Sequence, residues 1–280
     1  MFPLKDNIPT RRFPILTVAI IVLNVVVFFA FQDARISFSG ADVNQRKVVE
    51  YGVIPYEITH PGKECFTQGS GTNAQVFCEG QKAQDTSTGQ TVEIRARDIP
   101  RDQRNQPPWW VTIFTSMFMH GGILHIAGNM LFLWVFGNNI EDSMSLWRFP
   151  IFYLLGGIIA VAGQTLVEPN AAVPTIGASG AIACVLGAYA RLYPRARVVT
   201  LVFIIIFFTV ITLPALWVLG LWFLLQVAYG AADLGQPLGS TGGVAYFAHI
   251  GGFVFGLLAI GLFANKVQDD YDRPSRLPVY

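Results

Sequence analysis

The chain has 280 residues, of which 52% are hydrophobic and only 13% are charged, and its formal net charge is +1. Soluble domains carry about 25% charged residues, and a soluble fold of this size could not cover so much apolar surface with polar groups. The composition therefore excludes a cytosolic enzyme, a disordered protein and a nucleic-acid-binding protein, which would need a basic surface. It indicates a polytopic protein embedded in a lipid bilayer.

Six segments are long and apolar enough for transmembrane helices, which need roughly 20 mostly apolar residues. The first is too long for the apolar region of a signal peptide, which runs to about 15 residues. The fifth belongs to an apolar stretch from Val198 to Ala232 that is broken at Pro214. We expect one span there, after an interfacial lead-in, with two short spans as the alternative. The sequence thus predicts an all-α bundle of six helices, at residues 13–31, 118–140, 149–167, 175–193, 214–232 and 243–264.

Lys and Arg residues orient such a bundle, because they accumulate in cytoplasmic loops. They occur in the N-terminal segment 1–12, in the turns after the second and fourth helices and in the C-terminal segment 265–280. The other two short loops, 168–174 and 233–242, contain none. Both termini are therefore expected in the cytosol, on either side of a core at residues 13–264. We expect a bacterial plasma membrane, with an organellar or Golgi membrane as the alternative.

A long polar segment, residues 33–108, separates the first two helices, and this orientation places it outside the cytosol. It contains Cys65 and Cys78. An oxidising compartment allows these two residues to form a disulfide, which would stabilise the loop by about 3 kcal/mol. Two free thiols are the alternative. The third cysteine, Cys184, lies in the fourth helix, where we expect it to pack.

Polar side chains inside apolar helices are costly, and each one is therefore a candidate for function. No Asp, Glu or Lys occurs inside the six predicted spans. This excludes an intramembrane aspartyl protease, a Ser-His-Asp triad and an HExxH metalloprotease. The remaining candidates are the Ser, His, Asn and Gln side chains of His120, His125, Asn129, Ser179, Gln226 and His249.

Three of these candidates are predicted at one depth. His125, Ser179 and His249 each lie near the outer end of their helix, roughly 6–11 Å below the outer surface at about 1.5 Å per residue. Ser179 can then act as a nucleophile with His249 as its base. The Ser179 backbone, His125 and, one helical turn further on, Asn129 could bind an oxyanion. Each residue taken alone is equally explained by helix packing, and His120 is predicted nearer the rim.

Three motifs resemble those of the rhomboid intramembrane serine proteases. They are HGGILHIAGN at 120–129, GASG at 177–180 and AHIGGFVFG at 248–256, in the family's order and each on a predicted helix. The likeness also takes in Leu221, Trp222 and Gln226 on the fifth helix, and it covers about residues 13 to 264.

This resemblance implies a Ser179–His249 dyad in a water-filled cavity open to the outside. It implies an oxyanion hole formed by the Ser179 backbone, His125 and Asn129, and no cofactor or metal. The substrates would be transmembrane segments of other membrane proteins, cut near their extracytoplasmic end. The fifth helix and the loop before the sixth would act as substrate gate and lid.

Two features depart from the family's pattern. The 33–108 loop is longer than in minimal six-helix members and its cysteine pair is not a family hallmark, so its role is open between substrate capture, a partner site and stability. Ala183 replaces an aromatic residue that packs on the catalytic histidine in some relatives. Tyr246 and Phe247 are the candidates to supply this packing instead.

Two other functions compete with a protease. An inactive rhomboid-like protein would bind membrane clients without cutting them, but such relatives typically lack the serine or the histidine. A transporter or channel would bind a solute in the polar layer, but the buried charge expected for coupling is absent. The sequence therefore favours a serine endopeptidase.

Overall fold

The computed structural model of the protein describes residues 2–37, 40–69, 75–84, 90–104, 106–204, 207–234, 243–265 and 267. Within these ranges the protein is mostly helical, and most of its helices coincide with the apolar segments. It also contains short antiparallel strands, so the prediction of an all-α fold is wrong in this respect. Most of the segment 265–280 and of the loop 233–242, the predicted lid, lies outside the described residues.

The long helices follow the predicted spans. Four helical segments in the described ranges are long and apolar enough to cross a membrane, namely Ile123–Asp142, Arg148–Val167, Ala215–Asp233 and Tyr246–Phe263. The apolar helices at Ile15–Phe31 and Ser179–Leu192 are shorter. A count of six spans therefore stays a prediction.

The helices are numbered in chain order along the whole chain, and those between α1 and α5 are described below. The longer helices form the bundle. They are α1 (Ile15–Val26, continued by a π-helical turn Val27–Phe31), α5 (Ile123–Phe132, continued through π-helical Leu133–Gly137 into α6, Asn138–Asp142), α7 (Arg148–Val167), α8 (Ser179–Leu192), α9 (Ala215–Asp233) and α10 (Tyr246–Phe263). The single helix α9 agrees with one span after Pro214.

Helix α8 lies at the centre of the bundle, because only its first and its last two residues are not buried. Helix α10 approaches it closely. A Cβ atom added to Gly252 would collide with the carbonyl oxygen of Gly180, and one added to Gly256 would collide with that of Cys184. Small residues at such contacts let helix backbones pack directly against each other. This packing fixes the start of α8 relative to the start of α10.

Two of the helices begin at least four residues later than predicted. The second core helix begins at Ile123 rather than at residue 118, since His120 is held before it by two hydrogen bonds with Gln32. The His120 N–H donates to Gln32 Oε1 at 2.8 Å, and Gln32 Nε2 donates to the His120 carbonyl at 2.9 Å. Helix α8 begins at Ser179 rather than at residue 175, because Gly177 has a φ of +126° that helical residues do not adopt.

A three-stranded sheet closes the end of the bundle at which α8 finishes. Its strands are β1 (Phe2–Asp6), β8 (Arg197–Ile204) and β9 (Phe207–Pro214), in the order β1-β8-β9 and all antiparallel. The predicted lead-in to the fifth helix is thus a β-hairpin. It is rich in β-branched and aromatic residues, which favour strands, and β9 is almost entirely exposed.

The segment between α1 and the second core helix, here called the insertion (residues 33–108), folds into short elements. These are β2 (Arg35–Ser37), β3 (Gly40–Asp42), α2 (Gln45–Tyr51), α3 (Pro55–Thr59), β4 (Cys65–Gln68), β5 (Gln75–Cys78), β6 (Lys82–Gln84) and β7 (Thr91–Glu93). The strands pair as the hairpins β2–β3, β4–β5 and β6–β7. A seven-residue helix α4 (Trp109–Thr115) then leads towards the second core helix.

The insertion is docked at the other end of the bundle, on the loop that precedes α8. Val53 and Thr175 form a β-bridge with N–H···O distances of 3.2 and 2.7 Å. The Tyr56 N–H donates to the Ala171 carbonyl at 3.1 Å. The chain segments before and after α8 are therefore each tied to another part of the protein.

A buried carboxyl group makes the stability of the insertion depend on pH. Glu57 is 8% exposed, and its Oε1 accepts a hydrogen bond from the Cys65 N–H at 2.9 Å. Burial, with a smaller contribution from the charge of Glu64, raises the pKa of Glu57 to about 7. The folded state thus holds a proton that the unfolded chain releases above pH ~4.3. The stabilisation of the folded state that protonated Glu57 contributes is fully present below that pH and is lost as the pH rises through 7.

Glu57→Gln should therefore flatten this pH dependence, because it keeps the acceptor oxygen and removes the charge. Between pH 5 and pH 8 the wild type should lose more stability than the variant, by up to about 3 kcal/mol. Thermal unfolding in detergent at the two pH values measures the difference. The exposed Glu93 provides the control, since Glu93→Gln should behave as the wild type does. Equal pH dependence in Glu57→Gln and the wild type would contradict the prediction.

Candidate active site

The structure brings Ser179 and His249 into direct contact. Ser179 is the first residue of α8, and His249 lies in the first turn of α10. The distance between Ser179 Oγ and His249 Nε2 is 2.8 Å, which is a hydrogen bond between residues 70 positions apart. A serine hydroxyl needs such a base in contact in order to act as a nucleophile.

The second ring nitrogen of His249 is held by Gln226 on α9. His249 Nδ1 lies 2.8 Å from Gln226 Oε1, and Gln226 Nε2 donates to the Trp222 carbonyl, one helical turn earlier, at 3.3 Å. Because the amide nitrogen is used by that carbonyl, the amide oxygen faces the imidazole. His249 must then donate from Nδ1, and its Nε2 lone pair is left to accept the Ser179 proton.

The sequence singled out Gln226 as a polar residue of the fifth helix but did not include it in the site. The signal that could have identified Gln226 is the free-energy cost of placing an uncharged polar side chain in a transmembrane span. Such a side chain needs a hydrogen-bond partner. The aromatic neighbour of His249 was also missed. The Trp222 ring centroid lies 5.8 Å from that of His249, whereas Tyr246 contacts Tyr229 instead.

His125 lies in the first turn of α5 and faces the same cavity. Its Nδ1 accepts a hydrogen bond from the Gly121 N–H at 3.3 Å. The neutral ring therefore carries its proton on Nε2, which makes Nε2 a donor. The backbone at Gly177 is next to it, and an added Cβ there would lie 2.8 Å from His125 Nε2 and 3.5 Å from Ser179 Oγ. The Gly177 backbone thus lies against both the donor and the hydroxyl and leaves no room for a side chain.

Asn129 lies one turn after His125 and is 9% exposed. Its side-chain Nδ2 has no hydrogen-bond partner among the described residues. Asn129 is not among the residues that line the cavity, however. His120 is fully buried and packs edge-on against His125, with ring centroids 5.1 Å apart. Burial among other side chains does not decide how near His120 lies to the rim, so that expectation stays a prediction.

A cavity of about 810 Å³ opens in front of these groups. Ser179, His249 and His125 line it, and so do the segment 173–177 and part of the insertion. The described residues that line it include no Asp, Glu, Lys or Arg. The size is in the range of ligand-binding cavities, about 300–1,000 Å³. The described residues contain no cluster of three or more His, Cys, Asp or Glu side chains that could hold a metal ion.

The cysteines occupy different parts of the structure. Cys65 and Cys78 face each other in the β4–β5 hairpin and are joined as a disulfide. Cys184 is buried in α8 next to Gly156 of α7, where its thiol is 3.9 Å from the Phe152 carbonyl oxygen. The disulfide thus belongs to the insertion, and Cys184 to the packing of the bundle.

Known proteins resemble the chain over the region that carries this site. The family model of the Rhomboid domain matches residues 107–266, which is more than half of the chain. The insertion and α1 precede the matched residues.

Three relatives show how far the similarity extends. Rhomboid protein 1, mitochondrial, of Saccharomyces cerevisiae is 31% identical over 165 residues, which are 57% of this chain and 43% of that protein. Presenilin-associated rhomboid-like protein, mitochondrial, of Mus musculus is 32% identical over 147 residues, 51% of this chain and 35% of that protein. Rhomboid protease GluP of Bacillus subtilis is 39% identical over 83 residues, 30% of this chain and 16% of that protein. The matches span less than half of the length of each relative.

Gly177→Ala tests the predicted role of His125 as an oxyanion donor, because the added methyl group would displace the His125 ring. The reaction of Ser179 with a fluorophosphonate would place a phosphoryl oxygen next to this donor, and displacement of the donor should lower the rate by about 100-fold or more. The rate of covalent labelling measures this effect. Thermal unfolding checks the fold, since alanine is strained at the φ of Gly177.

Gly122→Ala is the matched control. Gly122 lines the same cavity, its backbone is extended with a φ of 170°, and an added Cβ meets no atom within 4 Å. This variant should be labelled at the wild-type rate. A folded Gly177→Ala protein that is labelled as fast as the wild type would rule out an oxyanion site at this position.

Proposed function

Since the chain belongs to the rhomboid family, we propose that this integral membrane protein is a serine endopeptidase that cleaves transmembrane segments of other membrane proteins. The observation that carries the proposal is the 2.8 Å contact between Ser179 Oγ and His249 Nε2. The family contains a named protease, GluP of Bacillus subtilis. An uncharged cavity in front of the dyad suits an apolar polypeptide substrate.

In the proposed reaction, Ser179 Oγ attacks the carbonyl carbon of the scissile peptide bond and its proton moves to His249 Nε2. The carbonyl oxygen becomes an oxyanion, which the Ser179 backbone N–H and His125 Nε2 stabilise. Asn129, whose amide nitrogen lacks a hydrogen-bond partner among the described residues but which does not line the cavity, stays a predicted third donor. When the C–N bond breaks, His249 returns its proton to the leaving nitrogen. Water then attacks the acyl ester with His249 again as base, releasing the acid and restoring Ser179.

The N-terminus of α8 adds to the stabilisation of the oxyanion. The backbone N–H groups of the first turn of α8 have no intrahelical acceptor, and the helix dipole is positive at that end. Ser179 is the first residue of the helix, so its own N–H points at the space in which the charge develops. Loss of one donor of an oxyanion hole typically costs about 2.7–4 kcal/mol of transition-state stabilisation.

We also propose that six spans place both termini in the cytosol and the insertion outside it. The pairing of β1 with β8 supports this orientation, since it puts the N-terminal segment and the α8–α9 turn at one end of the bundle. The insertion is tied to the other end, beside the dyad, so cleavage would occur near the extracytoplasmic face. Relatives from mitochondria and from a bacterium give no support for a bacterial plasma membrane in particular. The roles of α9 as gate and of the loop before α10 as lid stay predictions.

Ser179→Ala should abolish cleavage of an apolar membrane-protein substrate in proteoliposomes while leaving thermal stability unchanged. His249→Ala should do the same, and the double variant should be no slower than either single one, because residues that act as a unit are non-additive. The measurement is product formation after reconstitution.

Ser116→Ala is the control, because Ser116 also lines the cavity but its hydroxyl is bonded to the Ile113 carbonyl at 3.1 Å. It should cleave as the wild type does. Cleavage by Ser179→Ala would contradict the assignment of the nucleophile. A wild type that binds membrane proteins but never cuts them would favour the alternative, an inactive rhomboid-like binding protein.

Gln226 acts as a positioning residue in this scheme, since it holds His249 in the tautomer that accepts the Ser179 proton. Gln226→Leu should lower kcat by about 10- to 100-fold with little change in KM, as the loss of a residue that orients a functional histidine does elsewhere. Gln226→Glu, with a neutral carboxylic acid, keeps the acceptor oxygen and a donor for the Trp222 carbonyl, and it should recover most of the rate. Steady-state kinetics on one substrate measures both effects.

Leu224 serves as the control on the same helix, because it is 63% exposed and faces away from the dyad. Leu224→Ala should leave kcat unchanged. If Gln226→Leu and Gln226→Glu were equally slow, a structural role of Gln226 would replace the positioning role.

A further inference from the structure

The three-stranded sheet β1-β8-β9 buries only one of its two faces against the bundle. Val198 and Thr200 of β8 are fully buried, and they share one face because side chains two residues apart lie on the same side of a strand. The opposite face carries a row of three residues that are neighbours across the sheet, namely Phe2, Leu201 and Val210. None of these three is buried. The sheet therefore turns an apolar surface away from the bundle.

Strand β9 is exposed on both of its faces. Phe207 is 72% exposed and Val210 is 53% exposed, and Ile211, whose side chain points to the other face, is exposed as well. A strand that meets water on one face usually alternates apolar and polar residues. The chain carries no charged residue between Val198 and Ala232. A contiguous apolar surface of this kind marks contact with a membrane or with another protein.

This apolar surface continues into the lipid-facing side of the bundle. Strand β9 ends at Pro214, and α9 begins at the next residue. Leu216 and Trp217, in the first turn of α9, are exposed. In an integral membrane protein the exposed apolar side chains of a spanning helix face lipid. The Ala215 N–H donates to the Ala196 carbonyl at 2.7 Å, which fixes the base of the hairpin to the start of α9. The hairpin and α9 thus share one continuous apolar surface.

The charges of the hairpin lie at its base. Arg195 and Arg197 are exposed at the beginning of β8. Lys5 of β1 is paired with Val199 near the same end. Phe207, at the other end of the hairpin, belongs to the uncharged stretch. Cations at the base and apolar side chains towards the tip match a lipid leaflet, in which phosphate groups lie outside the acyl chains.

The outer edge of β9 limits how deeply the hairpin can lie in the bilayer. Strand β9 is the outermost strand of the sheet in the described part of the chain. An outermost strand directs every second N–H and carbonyl group away from its neighbour. Open sheet edges do not occur in the hydrocarbon core, because such groups find no partner there. At the boundary between headgroups and acyl chains, water and headgroups can bind them.

We propose that the β8–β9 hairpin is an interfacial membrane anchor. Strand β9 lies at the boundary between headgroups and acyl chains, in the leaflet at which α8 ends and α9 begins, and Arg195 and Arg197 lie at the phosphate groups. The partner is the lipid surface itself, because the hairpin is continuous with the lipid-facing side of α9. The sequence predicts an interfacial lead-in here, to which the sheet adds a depth and a fixed attachment to α9. The inference does not depend on the proposed protease function.

Spin labels on two matched valines test the proposal in proteoliposomes. Val92, on strand β7 of the insertion, is 50% exposed, close to the 53% of Val210, so Val92→Cys is the control for Val210→Cys. The native cysteines do not compete for the label, because Cys65 and Cys78 form a disulfide and Cys184 is buried. Thermal unfolding in detergent checks that each labelled variant is folded.

Electron paramagnetic resonance compares the effect of oxygen, which concentrates in lipid, with that of a water-soluble nickel chelate. The ratio of the oxygen effect to the nickel effect should be at least about 5-fold higher for Val210→Cys than for Val92→Cys, because the apolar face of an interfacial segment lies about 5–10 Å into the boundary of headgroups and acyl chains. Phe207→Cys, near the tip of the hairpin, should give a similarly high ratio and replaces Val210→Cys if that variant does not fold.

Two results would overturn the proposal. Equal ratios for the hairpin labels and for Val92→Cys would show that the hairpin lies in water. A label at Val210→Cys that neither oxygen nor nickel reaches, with dipolar broadening that disappears on dilution with unlabelled protein, would show that a second copy of the chain covers β9 instead of lipid.

Discussion

The site depends on the direct contact between the backbones of α8 and α10. Gly252 and Gly256 leave no room for a side chain against the carbonyl oxygens of Gly180 and Cys184. In a bilayer, where helices gain little from hydrophobic burial against each other, such close packing is a main source of association. The close packing also fixes the distance between α8 and α10, because two backbones in contact cannot separate by about an ångström without losing their van der Waals contacts. The hydrogen bond between Ser179 and His249 forms next to Gly180 and one turn before Gly252, and it follows from this contact.

The two ends of α8 are constrained by different parts of the chain. The β-bridge at Thr175 ties its beginning to the insertion, and the pairing of β8 with β1 ties the segment after it to the N-terminus. A central helix held in this way keeps its register while the surrounding helices face lipid, as the exposed leucines Leu166 and Leu262 do. Ser179, the proposed nucleophile, thus stands on a helix that is constrained at both of its ends.

The apolar segments and the polar residues within them were predictable from the sequence, because length, hydrophobicity and the cost of burying polar groups act locally. The starts of α5 and α8 were not, since they depend on a hydrogen bond from Gln32 and on the backbone at Gly177. The hairpin β8–β9 was missed because an apolar run that ends at a proline fits both a strand and a helix. The partner of Gln226 was not predictable for a different reason, because it lies on another helix.

The group that contacts the second ring nitrogen of His249 is the amide of Gln226. The membrane explains why an amide is suitable at this position. Soluble serine proteases orient their histidine with a buried carboxylate, but a carboxylate inside a span costs several kcal/mol. Gln226 offers the same acceptor oxygen without charge, and its nitrogen is satisfied by the Trp222 carbonyl of its own helix. A series of hydrogen bonds runs from the Trp222 carbonyl through Gln226 and His249 to Ser179 Oγ. Each atom that takes part in it has a partner, and none of these side chains has to be charged in the resting state. In the proposed reaction, charge arises only in front of the N-terminus of α8, where the helix dipole is positive.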